Sequence, residues 1–291
     1  MSARAWIRAA RLPAQSNIAL PLLVGQALAV HHGHRWSWPA AGLAFAFGLF
    51  DQLYIVFAND VADVETDRGN RTFTPFSGGS RVLVEGALSP RSLGVAAGLA
   101  AALAGVTSAV LAARVGSLAP LGLFAAAVLL LHAYSFRPLR LSYRGGGEVA
   151  QVIGTGVVLP LYGWVAQTGT LHAFPRGALL FLLPIRLACA IATALPDEPS
   201  DRASDKRTLP VAIGSPAAGV VMAVLAAASI ALYARGEVRP LLLAVPAALA
   251  AVALVLARAR PGTLAMTARV AAAVGATLAF EGVVAWGALA P

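Results

Sequence analysis

The chain has 291 residues, 58% of them hydrophobic and only 12% charged. Soluble domains carry about a quarter charged residues, so this composition excludes both an ordinary soluble domain and a disordered chain. The net charge of +9 is spread along the whole length and forms no nucleic-acid-binding patch, and the single cysteine, Cys189, excludes a disulfide framework and a cysteine-based metal site.

Apolar runs of about 20 residues, the length a helix needs to cross a bilayer, recur from end to end. They predict an all-α polytopic membrane protein with nine transmembrane helices and no soluble domain. A basic segment with Arg4, Arg8 and Arg11 leads into the first span, 13–31, which is interrupted by Pro21. It lacks a small-residue cleavage site and so reads as a retained helix. His31-His32-Gly33-His34 then makes a short external loop. The second span, 39–58, runs into an acidic cluster, Asn59-Asp60-Val-Ala-Asp63-Val-Glu65-Thr-Asp67. In the loop of residues 68–90, Phe76-Ser-Gly-Gly-Ser80-Arg81 predicts a flexible turn with exposed backbone N–H groups. Spans 91–112 and 117–134 follow, then a basic loop with Arg137, Arg140 and Arg144, then spans 148–167 and 176–196. A second acidic cluster, Asp197-Glu198-Pro-Ser-Asp201-Arg-Ala-Ser-Asp205, precedes Lys206-Arg207. Spans 215–234, 239–257 and 264–289 complete the chain.

Asp63-x-x-x-Asp67-Arg68 repeats as Asp197-x-x-x-Asp201-Arg202, four helices apart. The repeat predicts one membrane domain over 1–291, built from two four-helix halves (about 1–134 and 148–258) and a ninth helix. With the N-terminus inside, 16 of the 22 basic residues lie on inside segments and five, including Arg239, on outside ones, with Arg186 within a span. This positive-inside bias predicts a multi-pass protein of the cytoplasmic membrane with both acidic clusters facing the cytoplasm.

The two clusters hold eight of the chain's 13 acids. Carboxylates so close repel one another unless a cation binds them. Spacing of i, i+4, i+8 places them on one helix face, and two such faces opposed would form a divalent-cation site for a polyanion. A calcium EF-hand needs acids at alternate positions. Mg²⁺ takes one or two carboxylates and completes its octahedron with water and phosphate oxygens, so Asn59, Asp63 and Asp67 are expected to hold one ion and Asp197 and Asp201 a second. A diphosphate bridging them would meet Arg68, Arg81, Arg137, Arg140, Lys206 or Arg207. If it leaves from a lipid-soluble chain, metals stabilise the departing charge and a dry cavity protects the allylic cation from water. Tyr134, Phe136, Tyr143, Tyr162 and Trp164 supply either π faces for that cation or interfacial packing. Three ionisable residues lie within spans: Asp51, Arg186 and Glu281. At ~1.5 Å per residue, Asp51 is about 12 Å from Asn59 and Arg186 about 16 Å from Asp197. The similar depth predicts an Asp51–Arg186 pair, or an Arg186 that holds an acceptor carboxylate.

Asn59-Asp60-x-x-Asp63-x-x-x-Asp67 resembles the first signature of the UbiA superfamily of intramembrane prenyltransferases. Leu195-Pro196-Asp197-x-x-x-Asp201-x-x-x-Asp205-Lys206-Arg207-Thr208-Leu209-Pro210-Val211 resembles its second. Arg11-Leu-Pro13, Gly78-Gly79-Ser80-Arg81 and Tyr143-Arg144-Gly145-Gly146-Gly147-Glu148 are similar to the MenA-like branch, which prenylates 1,4-dihydroxy-2-naphthoate. The resemblance implies Mg²⁺-dependent transfer of a polyprenyl group from its diphosphate to a small aromatic acceptor, with Asp63, Asp67, Asp197 and Asp201 catalytic. It also implies a substrate pocket with Arg11, Asn17, Tyr134 and Arg186, and proton loss to a diphosphate oxygen or Asp60. The pattern departs from the family at Tyr134, which is followed by Arg137 and Arg140 instead of a Lys at i+4, and at Asp205, where Gly is common. Within the family, the acceptor could instead be 4-hydroxybenzoate, a lipid or a haem or chlorophyll precursor. Three rival readings follow from the same residues. One is a cyclase that closes the polyprenyl cation on itself. Another is a transporter or ion channel that uses Asp51, Arg186 and Glu281 as its coupling site. The third is a non-catalytic protein that binds the diphosphate without turnover.

Overall fold

The computed structural model describes residues 2–236 and 240–290. Among these residues the protein is helical, with one isolated bridge between Thr74 and Ser77 in place of strands. The chain begins with a short amphipathic helix, α1 (Ala3–Ala10), followed by α2 (Ser16–His31) and α3 (Trp38–Ala62). Ser37 caps α3 by accepting from the Ala40 N–H, and a proline at its start costs no helical hydrogen bond. α4 (Val64–Gly69) follows at once, then the long loop and α5 (Pro90–Val115), which opens on a reciprocal Ser89–Ser92 capping box. After α6 (Ala119–Ser135), a π-helical turn at residues 154–158 joins α7 (Gly147–Ile153) to α8 (Leu159–Thr168) in one continuous rod. α9 (Leu179–Ala194) leads through a 3₁₀ turn into the short α10 (Glu198–Ala203) and α11 (Leu209–Ile213). α12 (Ser215–Tyr233), α13 (Ala244–Val255) and α14 (Leu264–Leu289) complete the fold.

Among the described residues, six helices are long and apolar enough to cross a membrane: Trp38–Ala62, Pro90–Val115, Gly147–Thr168, Arg176–Ala203, Ser215–Tyr233 and Leu264–Leu289. Ala119–Ser135 and Pro240–Val255 are shorter apolar helices, and α2 has 16 residues. Each of the nine expected segments coincides with one of these helices, but by length and composition six qualify as spans, against the nine read from hydropathy. Arg239, placed outside by the charge bias, lies outside the described residues.

Apolar side chains cannot drive one membrane helix onto another, because lipid is as apolar as they are, so small residues that let backbones touch carry the packing. α2 and α8 show this. A Cβ on Gly25 would fall 1.9 Å from the Pro160 carbonyl oxygen, and one on Gly163 2.1 Å from that of Leu22. α2 also packs on α14, α14 on α9, α9 on α12, and α3 on α5. Phe47 stacks on Tyr162 at 3.8 Å between ring centroids, and the Tyr162 hydroxyl meets Ser108 at 2.9 Å, so the one polar atom of this aromatic core is satisfied. The interior of the helix assembly is left hollow at one end, between α3, α6, α7 and α9.

The expectation of one unbroken acidic helix face is corrected here. α3 ends at Ala62 and Asp63 is its C-cap, with φ −104° and ψ 7°, so Asp67 sits on the separate helix α4. The second cluster is broken in the same way, since Asp197 closes a 3₁₀ turn and Asp201 lies on α10. Asp205 has φ +57° and is exposed. The acids converge because the backbone turns between them.

Candidate active site

Two chambers open into one another at the hollow end. The upper, polar one has a volume of about 130 Å³ and is lined by Asp63, Asp67, Asp197, Asp201 and Lys206. The lower one, about 280 Å³, is mainly apolar, with Ile18, Ile55, Val56, Leu130 and Val158 in its wall. Arg11, Asn59, Tyr134, Gln151, Ala190 and Thr193 line both and form the collar between them.

The two acidic clusters, 130 residues apart in sequence, are drawn together by three sets of contacts. Lys206, after the second cluster, donates to Asp63 Oδ2 of the first at 2.8 Å. Asn70, after the first, donates from Nδ2 to Asp197 Oδ1 at 2.8 Å. The Gly78 N–H of the long loop donates to Asp197 Oδ2 at 3.0 Å. The glycine-rich loop therefore spends its backbone N–H groups on carboxylates. Its next members bind Asp60, which accepts from the Ser80 N–H, the Ser80 hydroxyl and the Arg11 guanidinium. Asp60 is thus an anchor for the loop and for α1, not a free base. Arg81 holds the same loop by donating to the Asp67 and Asn70 carbonyls and lying over the Phe73 ring, 4.4 Å from its centroid.

Around Asp63, the Tyr143 hydroxyl donates to Oδ1 at 3.2 Å and meets Thr66 at 2.6 Å. The Tyr143 ring carries Arg140 on its face at 3.5 Å and Lys206 at 5.1 Å. Tyr143 is therefore a support for Asp63 and the flanking cations. Glu148, at the start of α7, accepts from the Leu209 N–H at 2.6 Å and ties α7 to the segment after Lys206. Asn59 accepts from Ser135 at 3.2 Å, and Asp201 from Thr208 at 3.3 Å.

Burial, then the neighbouring charges of Asp63 and Asp60, push the Asp67 carboxyl up to about 7. Burial opposes the charge on Lys206, but Asp63, the Tyr134 oxygen and Asp201 outweigh it and hold the ammonium protonated beyond the usual lysine range. The chamber thus carries more negative charge than Lys206 alone neutralises. Gly79 sits directly over Asp67 with φ +72°, and a Cβ there would lie 2.1 Å from Asp67 Oδ2. Only glycine lets the loop close on this carboxylate.

Among the described residues no three His, Cys, Asp or Glu side chains converge into a ready-made metal cage. The donor set is nonetheless that of a hard cation: carboxylate and amide oxygens from two sides of a polar space, with no thiol or imidazole. Mg²⁺ needs only one or two protein carboxylates and takes its other ligands from water and phosphate, so Asn59, Asp63, Asp67, Asp197 and Asp201 fit it.

The remaining expected residues divide by place. Arg11, Asn17, Tyr134 and Arg186 all line the lower chamber or its collar. Arg68 is exposed and pairs with Glu65 at 2.8 Å, Arg137 and Arg207 are exposed, and Arg140 reaches the site only through the Tyr143 ring. The Asp51–Arg186 pair is overturned. Arg186 is gripped by both carboxylate oxygens of Glu281 on α14, and its Nη1 donates to the Asn17 carbonyl at 3.2 Å. Two planar, two-pronged groups meet edge to edge, and Asp51 is left facing the chamber. Glu281 is visible in the sequence as an in-span acid but its partner is not, and Asn70 and Thr66 join the site only through the fold. The signal for Asn70 was its place three residues after Asp67.

The UbiA prenyltransferase family model matches residues 18–274. No curated protein matches the chain. The fold is shared with a UbiA homologue from Aeropyrum pernix K1 in its apo form, at 19% identity and a TM-score of 0.68 over 92% of this chain and 96% of that one. It is shared also with a UbiA homologue from Archaeoglobus fulgidus bound to DMAPP and Mg²⁺, at 19% identity and 0.65 over 96% and 98%. A digeranylgeranylglyceryl phosphate synthase matches at 17% identity and 0.61, over 98% of each chain.

Proposed function

This chain belongs to the UbiA prenyltransferase family, and from that premise we propose that it transfers a polyprenyl group from its diphosphate to a 1,4-dihydroxy-2-naphthoate-like quinone precursor. The observation that carries the reading is the pair of joined chambers. An acid-lined polar space suits a metal-bound diphosphate, and the apolar space opening from it suits an isoprenoid and a ring. Supporting the acceptor class, the three segments similar to the MenA-like branch all border this site: Arg11 lines both chambers, Gly78 and Gly79 close the polar one, and Glu148 lines it.

In this reading Asn59, Asp63, Asp67, Asp197 and Asp201 hold Mg²⁺, in two ions. When bound, the metal supplies positive charge to the departing diphosphate. Lys206 faces the same oxygens, with Arg11 at the collar and Arg140 behind the Tyr143 ring. Arg68, Arg137 and Arg207 complete the cationic surface that attracts the polyanion from the cytoplasm. The apolar wall excludes water while the allylic C–O bond breaks. The electron pair leaves with the diphosphate, an electron-rich ring carbon attacks the allylic carbon, and the ring proton passes to a diphosphate oxygen. We place the protein in the cytoplasmic membrane with nine spans, two of which carry the acidic clusters to the cytoplasmic face of two four-helix halves.

The test is product mass. Purified protein receives geranylgeranyl diphosphate and Mg²⁺, with and without 1,4-dihydroxy-2-naphthoate or 4-hydroxybenzoate. A prenylated ring that forms only with acceptor and metal is expected, and it is abolished in Asp63→Asn and Asp197→Asn proteins that elute as wild type. A hydrocarbon or alcohol formed without acceptor would make the protein a cyclase. Retained transfer in both variants would refute the site.

A further inference from the structure

Asp51 stands in the middle of α3, 3% exposed, and lines the lower chamber. Among the described residues no hydrogen-bond donor or basic side chain engages its carboxylate. It shares the chamber-lining face of α3 with Gln52, Ile55, Val56 and Asn59, about 12 Å deeper than Asn59 at ~1.5 Å per residue. The chamber's cations are already committed. Arg186 is closed by Glu281 and Asn17, and Arg11 at the collar by Asp60.

A buried carboxyl group facing a mainly apolar cavity is costly unless a donor reaches it. A prenyl tail has no donor to offer. A carboxylate of a ligand has none either, and no uncommitted cation at that depth would hold it. A hydroxyl donates to it where water is excluded. The acid therefore suits the acceptor and not the isoprenoid.

Resting on the prenyl-transfer reading, we propose that Asp51 recognises the acceptor by accepting a hydrogen bond from an aromatic hydroxyl. The acceptor is then a hydroxylated ring whose donor end points down the chamber, and whose reacting edge points up toward the collar at Asn59 and Tyr134. Any carboxylate on the ring is turned away from Asp51, toward the collar.

The experiment compares 1,4-dihydroxy-2-naphthoate with its 1- and 4-methyl ethers, using geranylgeranyl diphosphate and Mg²⁺. If wild type selects 4-hydroxybenzoate instead, that phenol is compared with 4-methoxybenzoate. Wild type is expected to favour the free hydroxyl over one ether by roughly ten- to hundredfold in kcat/KM, the size of a lost hydrogen bond to a charged group. Asp51→Leu should erase that preference. Asp51→Asn, which keeps the shape, should raise the acceptor KM several-fold and leave the KM for geranylgeranyl diphosphate within about twofold, a split that general loss of packing does not produce. Equal use of phenol and ethers by a working wild-type transferase overturns this inference alone and needs no variant. A variant whose defect falls on the diphosphate KM, or on prenyl chain-length preference, also overturns it. A wild-type protein that consumes the diphosphate without any acceptor overturns both this inference and the transfer reading.

Discussion

Glu281→Gln leaves the Arg186 guanidinium charged and without its counter-ion at a site where the two side chains are 2% and 1% exposed. Breaking a buried pair from one side costs about 3–5 kcal/mol, because the remaining charge stays desolvated. The Asn17 carbonyl, at 3.2 Å from Nη1, offsets only part of this, since it is a neutral acceptor. At roughly 2 °C per kcal/mol for a chain of this size, the melting temperature should fall by about 6–10 °C, read as the temperature that halves the monodisperse peak in detergent. The internal control is Glu85→Gln. Its partner Arg8 sits 2.7 Å away, but the two are 40% and 46% exposed, and such pairs contribute only about 0–1 kcal/mol. The double variant Arg186→Met/Glu281→Leu removes both charges and should recover most of the loss, as apolar replacements of buried pairs do. If Glu281→Gln melts within about 2 °C of Glu85→Gln, then Glu281 is not the counter-ion of Arg186 and the closed state of the chamber wall is wrong.

The Asp67 carboxyl gives a pH dependence whose sign is fixed. Its pKa is raised from 3.8 to about 7, so its contribution to stability is present in full below pH 3.8 and is lost as pH climbs through 7. Without metal, thermostability should therefore decline from about pH 4 to pH 7 and level off above that. Added Mg²⁺ should restore it, with an apparent affinity that strengthens up to about pH 7 because fewer protons must be displaced. A metal affinity flat from pH 5 to 7 would contradict this. Gly79→Ala places a methyl 2.1 Å from Asp67 Oδ2 at φ +72°. Strain of about 1–2 kcal/mol in the left-handed conformation and displacement of the loop should lower turnover at least tenfold while the protein still elutes as wild type. Wild-type turnover in that variant would show that the loop does not close on Asp67.

The helical class, the positions of the nine long apolar segments and the acidic residues of the polar chamber were legible in the linear chain. Each rests on local physics: the length of an apolar run against bilayer thickness, and the repulsion of crowded carboxylates. Lys206 was legible for the same reason, as a cation next to an acidic motif. What the chain could not convey is which partner each polar group takes. Spacing placed Asp51 and Arg186 at similar depth, but pairing depends on which helices are neighbours and how they are rotated. Helix packing set Glu281 of α14 against Arg186 and left Asp51 facing the cavity. Spacing likewise put Asn59, Asp63 and Asp67 on one helix face, whereas the backbone breaks at Asp63 and brings the acids together by turning. The glycine loop read as free N–H groups, and tertiary structure closed it on Asp60 and Asp197. Composition and periodicity act along the chain and so decide what forms. Ion pairs and hydrogen bonds act across space between residues 95 to 143 positions apart, and only the packed helices decide those.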